Sequence, residues 1–468
     1  MSTEAEEISI NEQFEELINS EDKAPLREFL NHLNISDVAD LIYDYEDYEE
    51  VIIENMAVHR AAGVFKILDI GPQKRIIKKM PPHKTAELLN ELPPDDRTDF
   101  LEELPKAAIR DLIKLLNHEE RKITLSMLGY PEDSVGRLMT PDYVYVYKYQ
   151  TVEEAFATIR KVAKNSETID VIYVINEEGE LIDDLRIRDL ILAPPYKRIE
   201  DLIDGRIIAL NVHDDQEQAS QVFKMNNRVA LPVTDDNNIL LGIVTIDDMF
   251  WVADEEYSED IQKIGGTEAL DEPYLDIALH KLIKKRVVWL IVLFLSEMLT
   301  TTAMTFFSDE IEKALVLSFF IPLIMSSGGN SGSQASTLII QAMAIGEITI
   351  ADWWRVMRRE ILSGLLLGAI LGVIGFCRIW LWHFMMSYGI IKDVYGEHWL
   401  LIAFTIGFSL IGVVLWGTLS GSMLPIVLKR LGADPATSSA PFVATLVDVT
   451  GIVIYFSVAY IFLQGVLL

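Results

Sequence analysis

Asp448 stands well inside an apolar run, PFVATLVDVTG, with no basic residue within several turns. A carboxylate at the centre of a bilayer costs roughly 2.5–3.5 kcal/mol on insertion scales, so it normally faces a partner, water or an ion. Protonation, or a hydrogen bond to a Ser or Thr of another helix, would satisfy it structurally. Ala444 lies one turn earlier, with Thr445 and Gly451 nearby. Such small residues let backbones approach and expose carbonyl oxygens, which favours an ion-facing role. Glu297 is a second carboxylate without a basic neighbour in an apolar run. A hydrogen bond across helices and a place in the same path account for it equally well. A third polar feature is SSGGNSGSQ at 326–334, where Gly328 and Gly332 have the GxxxG spacing of a packing face. Asn330, Ser331 and Gln334 exceed what apolar packing needs. Oxygen-bearing side chains are what a hydrated divalent cation requires, because it keeps several of its waters.

Carboxylates also gather outside the apolar runs. Asp95, Asp96 and Asp99 fall at the expected start of a helix, where negative charge suits the dipole and capping is the simplest role. Glu255, Glu256, Glu259 and Asp260 crowd one short stretch. Like charges at i,i+4 repel by a few tenths of a kcal/mol per pair, a penalty that a divalent cation removes and that solvation merely moderates. Enzyme chemistry finds no footing. There is no Ser/His/Asp set, P-loop or His-rich metal motif, the eight histidines are scattered, and the single cysteine, Cys377, excludes disulfides within the chain and Cys-based zinc sites.

The elements that must hold these residues are of two kinds. Before position 286 there are 60 acidic and 31 basic residues, and from there onward 11 and 9, so nearly all of the net charge of −31 lies in the first part. Such a surface repels nucleic acid and attracts cations. From Arg286 the chain carries five runs of about 20 apolar residues or more, the length that crosses a bilayer. They are 287–307, 313–341, 360–386, 399–424 and 437–466, the second being the least regular because Pro322 and the Ser/Gly-rich stretch interrupt it. Lys281, Lys284, Lys285 and Arg286 precede the first, Arg355, Arg358 and Arg359 follow the second, and Lys429 and Arg430 follow the fourth. With the N-terminus inside, all three groups are cytoplasmic and the C-terminus is outside. The acidic, polar opening MSTEAEEISINEQFEE lacks the features of a secretory signal, so the hydrophilic part is expected in the cytoplasm.

That hydrophilic part subdivides. After a flexible 1–20, residues 21–131 read as a helical superhelix punctuated by Pro81-Pro82, Pro93-Pro94 and Pro105 at intervals of 12. Two stretches, 132–195 and 196–255, share one pattern of extended piece, helix, apolar strand, acidic turn and second strand. Residues 256–285 form a linking helix into the membrane domain, 286–468. The duplicated stretches resemble a tandem pair of cystathionine-β-synthase (CBS) domains, through Met139-Thr140-Pro141, Leu231-Pro232-Val233 and the run from Gly242 to Asp248 that includes Asp247. That resemblance implies a nucleotide, ATP, held at its ribose by Thr245 and Asp248. The first repeat departs from the pattern, with Asp183 at the usual glycine and Arg186 at the usual hydroxyl.

In this order, and with Gly328-Gly329-Asn330, Gln334, Asp434-Pro435-Ala436 and Pro441 through Asp448 to Gly451, the chain resembles the MgtE family of magnesium channels over about residues 21–468. The resemblance implies a multi-domain membrane protein: an all-α N domain superhelix, an α+β CBS pair, a linking (plug) helix and five membrane spans. It implies a homodimer in the plasma membrane with a pore between subunits, lined by the second and fifth spans. Asp448 would hold Mg2+ with the backbone oxygen of Ala444, near Asn330, Gln334 and Asp434. Regulatory Mg2+ that favours the closed state would bind Asp95, Asp96, Asp99, Asp215, Glu217, Asp247, Asp248, Glu255, Glu256, Glu259 and Asp260. Ala440, Trp251 and Asn227 depart from the family at positions that can carry Asn or an acid, which implies altered sensitivity. A CBS-regulated exporter or exchanger of divalent cations is the alternative within transport. A nucleotide-sensing receptor with a mere membrane anchor is the alternative outside it, and the polar residues within the spans speak against it.

Overall fold

Proline punctuation shapes the first part of the chain. Pro82 and Pro94 lie in the first turns of the helices Pro82–Glu91 and Pro94–Glu102, and Pro105 is the N-cap of Lys106–Ile113. A first-turn N–H has no helical partner, so proline loses nothing there. These and the preceding short helices bury one apolar core, in which Phe65 meets Phe100 edge-on at 5.2 Å. Arg97 lies fully buried within this layer. It is tolerated because its guanidinium donates to Thr124 Oγ1 (2.9 Å), to the Leu89 and Leu92 carbonyls (3.2 and 3.1 Å) and to Glu120.

The structure is a computed structural model that describes residues 2–164, 166–270, 273–275, 277–389 and 395–467. The chain forms two units, Met1–Asp254 and Glu255–Leu468. In the first unit two three-stranded sheets follow the helices: β1 (Tyr145–Tyr147), β2 (Val171–Ile175) and β3 (Leu181–Arg186), then β4 (Leu210–Asn211), β5 (Ala230–Thr234) and β6 (Leu240–Thr245). In each sheet the first pair is parallel and the second antiparallel. This is the duplicated α+β unit expected of a CBS pair. The two sheets join where Thr140 and Ile243 exchange backbone hydrogen bonds at 2.8 Å and where Leu240 N–H donates to the Gly179 carbonyl at 3.1 Å.

The second unit is helical among its described residues. It contains five helices long and apolar enough to cross a membrane: Leu279–Phe306, Leu315–Ala344, Ile350–Ser387, Gly396–Arg430 and Ala440–Leu463. Two expectations require correction. The second span is not interrupted by its Ser/Gly-rich stretch, since the helix Ile321–Ala344 runs straight through 326–334 and carries Pro322 in its first turn. Its irregular part precedes the proline, as a separate short helix Leu315–Ser318. Glycine's low helical propensity is overridden because a Cβ at Gly328 would strike Val413 and Val447, and one at Gly332 would meet Val443 and the Gly417 carbonyl. The linking segment is likewise not one helix. Ile246–Ile264 ends at Gly265-Gly266, where Gly266 adopts φ +77°, and the basic residues from Lys281 already belong to the first membrane helix.

Candidate functional site

In the first unit, the helix Pro94–Glu102 places two carboxylates in its first turn. Its N-cap is Pro93, so neither side chain caps it, contrary to the simplest sequence expectation. Asp95 is buried, and its Oδ1 has no hydrogen-bond partner. Asp96 reaches Lys66 at 3.3 Å. Asp248, in the first turn of Ile246–Ile264, accepts from the Thr245 N–H at 3.2 Å and from its hydroxyl at 2.7 Å. Thr245 and Asp248, expected on a ribose, are thus satisfied by each other.

These groups act electrostatically on one another. Burial, then the charges of Asp248, Asp96 and Glu167, hold the Asp95 carboxyl well above its usual range. Burial, with Asp247 and Asp96 nearby, pushes Asp248 up to about 7, against the lowering effect of the Thr245 hydroxyl. Asp96 is raised by burial despite Lys66, and Glu167 is raised in the same way. Asp95, Asp96, Asp247 and Asp248 therefore come together, although some 150 residues separate the two pairs. Sequence reasoning missed Glu167 and Lys66, which no motif marks. Asp99 lies on an exposed face of its helix. Asp215 has a local role, capping Gln216–Asn226 by accepting from the Glu217 N–H at 2.9 Å. Among the described residues, no three His, Cys, Asp or Glu side chains converge closely enough to hold a bare metal ion.

The departure at Asp183 has a physical account. Gly242 of β6 pairs with Val233, and a Cβ there would lie 2.7 Å from the Thr140 carbonyl oxygen. Asp183 takes the matching place in β3, opposite Val174. Its buried carboxylate accepts from the N–H groups of Asp204 and Gly205, both at 2.8 Å, and so pins the loop between the repeats.

In the second unit, Asp448 lies two turns into the helix Ala440–Leu463 and is half-buried. No hydrogen bond or ion pair engages it among the described residues. Ala444, one turn before it, packs on Gly329 of the second span. Ser326, Asn330 and Gln334 form an exposed polar stripe at one-turn spacing on that span, and Asn330 donates to Ser326 Oγ at 3.3 Å. Ser333 and Ser336 donate to the carbonyls of Ala440 (3.0 Å) and Ser438 (2.9 Å), fastening the second span to the start of the fifth.

Asp434 does not join Asp448. It precedes the fifth helix, accepts from the Ala436 N–H at 2.8 Å and receives Lys263 at 2.7 Å. Lys263 also pairs with Glu259. Burial lowers the Lys263 ammonium, but the hydrogen bonds and charges of Asp434 and Glu259 outweigh it and raise its pKa above the usual lysine value. Asp434 thus binds a lysine where a pore metal was expected. Glu255, Glu256 and Asp260 share the same helix as Glu259.

Helical first domain, CBS pair and five apolar helices together define a multi-pass membrane protein that carries a CBS pair ahead of its spans. Residues 321–458 match a family described as a divalent cation transporter, residues 33–133 the MgtE intracellular N domain, and 135–196 and 199–254 the CBS domain. The chain belongs to the MgtE family. It is 38% identical over 360 residues, 77% of each chain, to "Magnesium transporter MgtE" of Thermus thermophilus. It is 29% identical over 439 residues, 93% of this chain and 88% of the other, to the protein of that name from Bacillus subtilis. Among solved structures, it is similar to the cytosolic domain of the Mg2+ channel MgtE in complex with ATP, with 32% identity and a TM-score of 0.50 over 53% of this chain and 99% of that one.

Proposed function

We propose that this chain transports magnesium, that the ion passes beside Asp448, and that cytoplasmic Mg2+ holds the path closed. The observation that carries the reading is a carboxylate within a membrane helix that, among the described residues, has neither hydrogen bond nor counter-ion, one turn from Ala444. Hydrated Mg2+ keeps its waters and binds through few direct ligands, which suits one carboxylate, a backbone oxygen and the amide stripe of Asn330 and Gln334. Relatives named for magnesium transport support the choice of ion. A homodimer would bring two Asp448 carboxylates to one axis.

Asp95, Asp96, Asp247 and Asp248 are the regulatory set with a physical motive, since ionised together they repel in a partly buried place and a divalent cation would relieve them. Because they do not close tightly, the ion would be held largely through its waters. Asp99, Asp215, Glu217, Glu255, Glu256, Glu259 and Asp260 are the wider acidic surface around such ions. ATP at Thr245 and Asp248 would have to replace their mutual hydrogen bonds. An outward C-terminus fits the basic residues flanking the spans, and uptake across the plasma membrane belongs to the same proposal.

Magnesium flux into proteoliposomes tests the assignment. Wild type should load the vesicles without a sodium or proton gradient, and Asp448→Ala should lower flux by at least tenfold. Equal flux in the two proteins would end the pore assignment, and dependence on a counter-gradient would favour an exchanger.

A further inference from the structure

We infer that Glu297 of the first span is a second acidic residue of the ion path, placed level with Asp448 to bear on the water shell of the same passing cation. The inference rests on the path assigned above and adds a residue to it. Two contacts fix how the first and fifth spans lie together. Near their inner ends the Trp289 indole donates to Ser439 Oγ at 3.1 Å and its ring lies 6.2 Å from Phe442. Near their outer ends Phe307 and Phe456 stack at 4.8 Å. The two helices are therefore parallel.

Counting from the lower contact, Glu297 is 8 residues beyond Trp289 and Asp448 is 9 beyond Ser439. At 1.5 Å per residue these are rises of about 12 and 13.5 Å. From the upper contact the steps back are 10 and 8 residues, so both routes put the carboxylates at one level to within about 3 Å. At about 100° per residue, Glu297 stands about 80° from the line joining the helices; Asp448, counted from the in-helix ring contacts Phe442 and Phe456 rather than from the N-cap Ser439, stands about 120° and 80° from it, in the sense that brings both carboxylates to the same flank.

Among the described residues no basic side chain pairs with Glu297, and it is exposed on its helix. Facing hydrocarbon, it would bear the full cost of an isolated carboxylate. Facing the path, it shares the water and the cation that Asp448 requires. Thr300, one turn further along the first span, has a buried Oγ1 without a partner, whereas Thr302 and Thr305 donate back to carbonyls one turn earlier. It is a second polar group near this level that no described residue answers. A second fixed charge at this level favours a divalent ion over monovalent ones, because the attraction scales with the ion's charge.

The test uses the full-length protein in proteoliposomes, with Mg2+ flux read by an entrapped dye. Glu297→Gln should raise half-saturating Mg2+ by about tenfold and admit more Na+, with Glu297→Asp falling between it and wild type. Independently of flux, Glu297→Cys in a Cys377→Ser background should react with a charged, membrane-impermeant thiol reagent, and Mg2+ should slow the reaction. Unchanged half-saturation in Glu297→Gln, or an unreactive Glu297→Cys, would overturn the inference while loss of flux in Asp448→Ala left the path itself standing. Unchanged flux in Asp448→Ala would instead remove the path and this inference with it.

Discussion

Asp95→Asn removes one charge from the buried acidic group of the first unit while keeping the side chain's shape, and it should stabilise the protein at neutral pH. In the folded state Asp248 is raised from 3.8 to about 7, and Asp95 is displaced the same way. At 1.36 kcal/mol per unit, the Asp248 displacement alone corresponds to a ceiling of about 4 kcal/mol of unfavourable free energy when the group is ionised. The two groups share that cost, and partial solvation reduces it, so removing one charge should recover about 1–2 kcal/mol. The sign follows from linkage. A raised carboxyl contributes stability that is fully present below pH 4 and lost as pH rises through about 7. Asn mimics the protonated acid, so the difference between mutant and wild type should be near zero below pH 4, grow as pH rises from 4 to 7, and be full at pH 8. Residues 1–254 carry their own cores and suit denaturant and thermal melts. At pH 8 in EDTA the mutant should melt about 3–6 °C higher. Millimolar Mg2+ should raise the wild-type Tm and leave the mutant nearly unmoved. A mutant less stable than wild type at pH 8, or a difference that does not change between pH 5 and pH 8, would refute the electrostatic account.

Three further outcomes are expected. Lys263→Met, which releases Asp434 and Glu259, should leave maximal Mg2+ flux intact and raise the cytoplasmic Mg2+ needed for closure about fivefold, the equivalent of about 1 kcal/mol for a partly exposed pair; unchanged sensitivity in the flux assay would show the link to be idle. Arg97→Met leaves Glu120 and two buried carbonyls unanswered, and should cost the first unit about 3 kcal/mol in a urea melt. Gly421→Val drives a side chain into the backbone carbonyl of Gly332 and should abolish a monodisperse elution profile, whereas Gly407→Ala, whose nearest neighbour would lie 3.4 Å away, should elute normally.

Sequence exposed what depends on composition and concealed what depends on distant partners. The five spans were legible because about 20 apolar residues have few other fates. Asp448 drew notice because a lone carboxylate in such a run is anomalous, and its part in the ion path is a proposal. Asp434 misled, since its partner Lys263 lies 171 positions away and nothing local announces it. Asp95 and Asp96 read as helix-start residues because their neighbour Asp248 is far along the chain. In the second span the Ser/Gly-rich stretch was read both as a GxxxG packing face and as an interruption, and only the packing face is present. At Gly265-Gly266 the error ran the other way: the helix was read through a glycine pair that does end it.

The glycines of the third span have a mechanical consequence. Gly364, Gly368, Gly372 and Gly375 recur every three or four residues, and a Cβ at any of them would press on the fourth span. Gly328 and Gly332 bring the second span equally close to the fourth. The second, third and fourth spans are thereby clamped into a stiff stator whose members cannot slide past one another without collision. The first span is different, for it has no buried residue and is tied to the fifth chiefly at Trp289 and Phe307. Among the described residues it is the least confined of the five, the span that could turn against its neighbours with the fewest collisions.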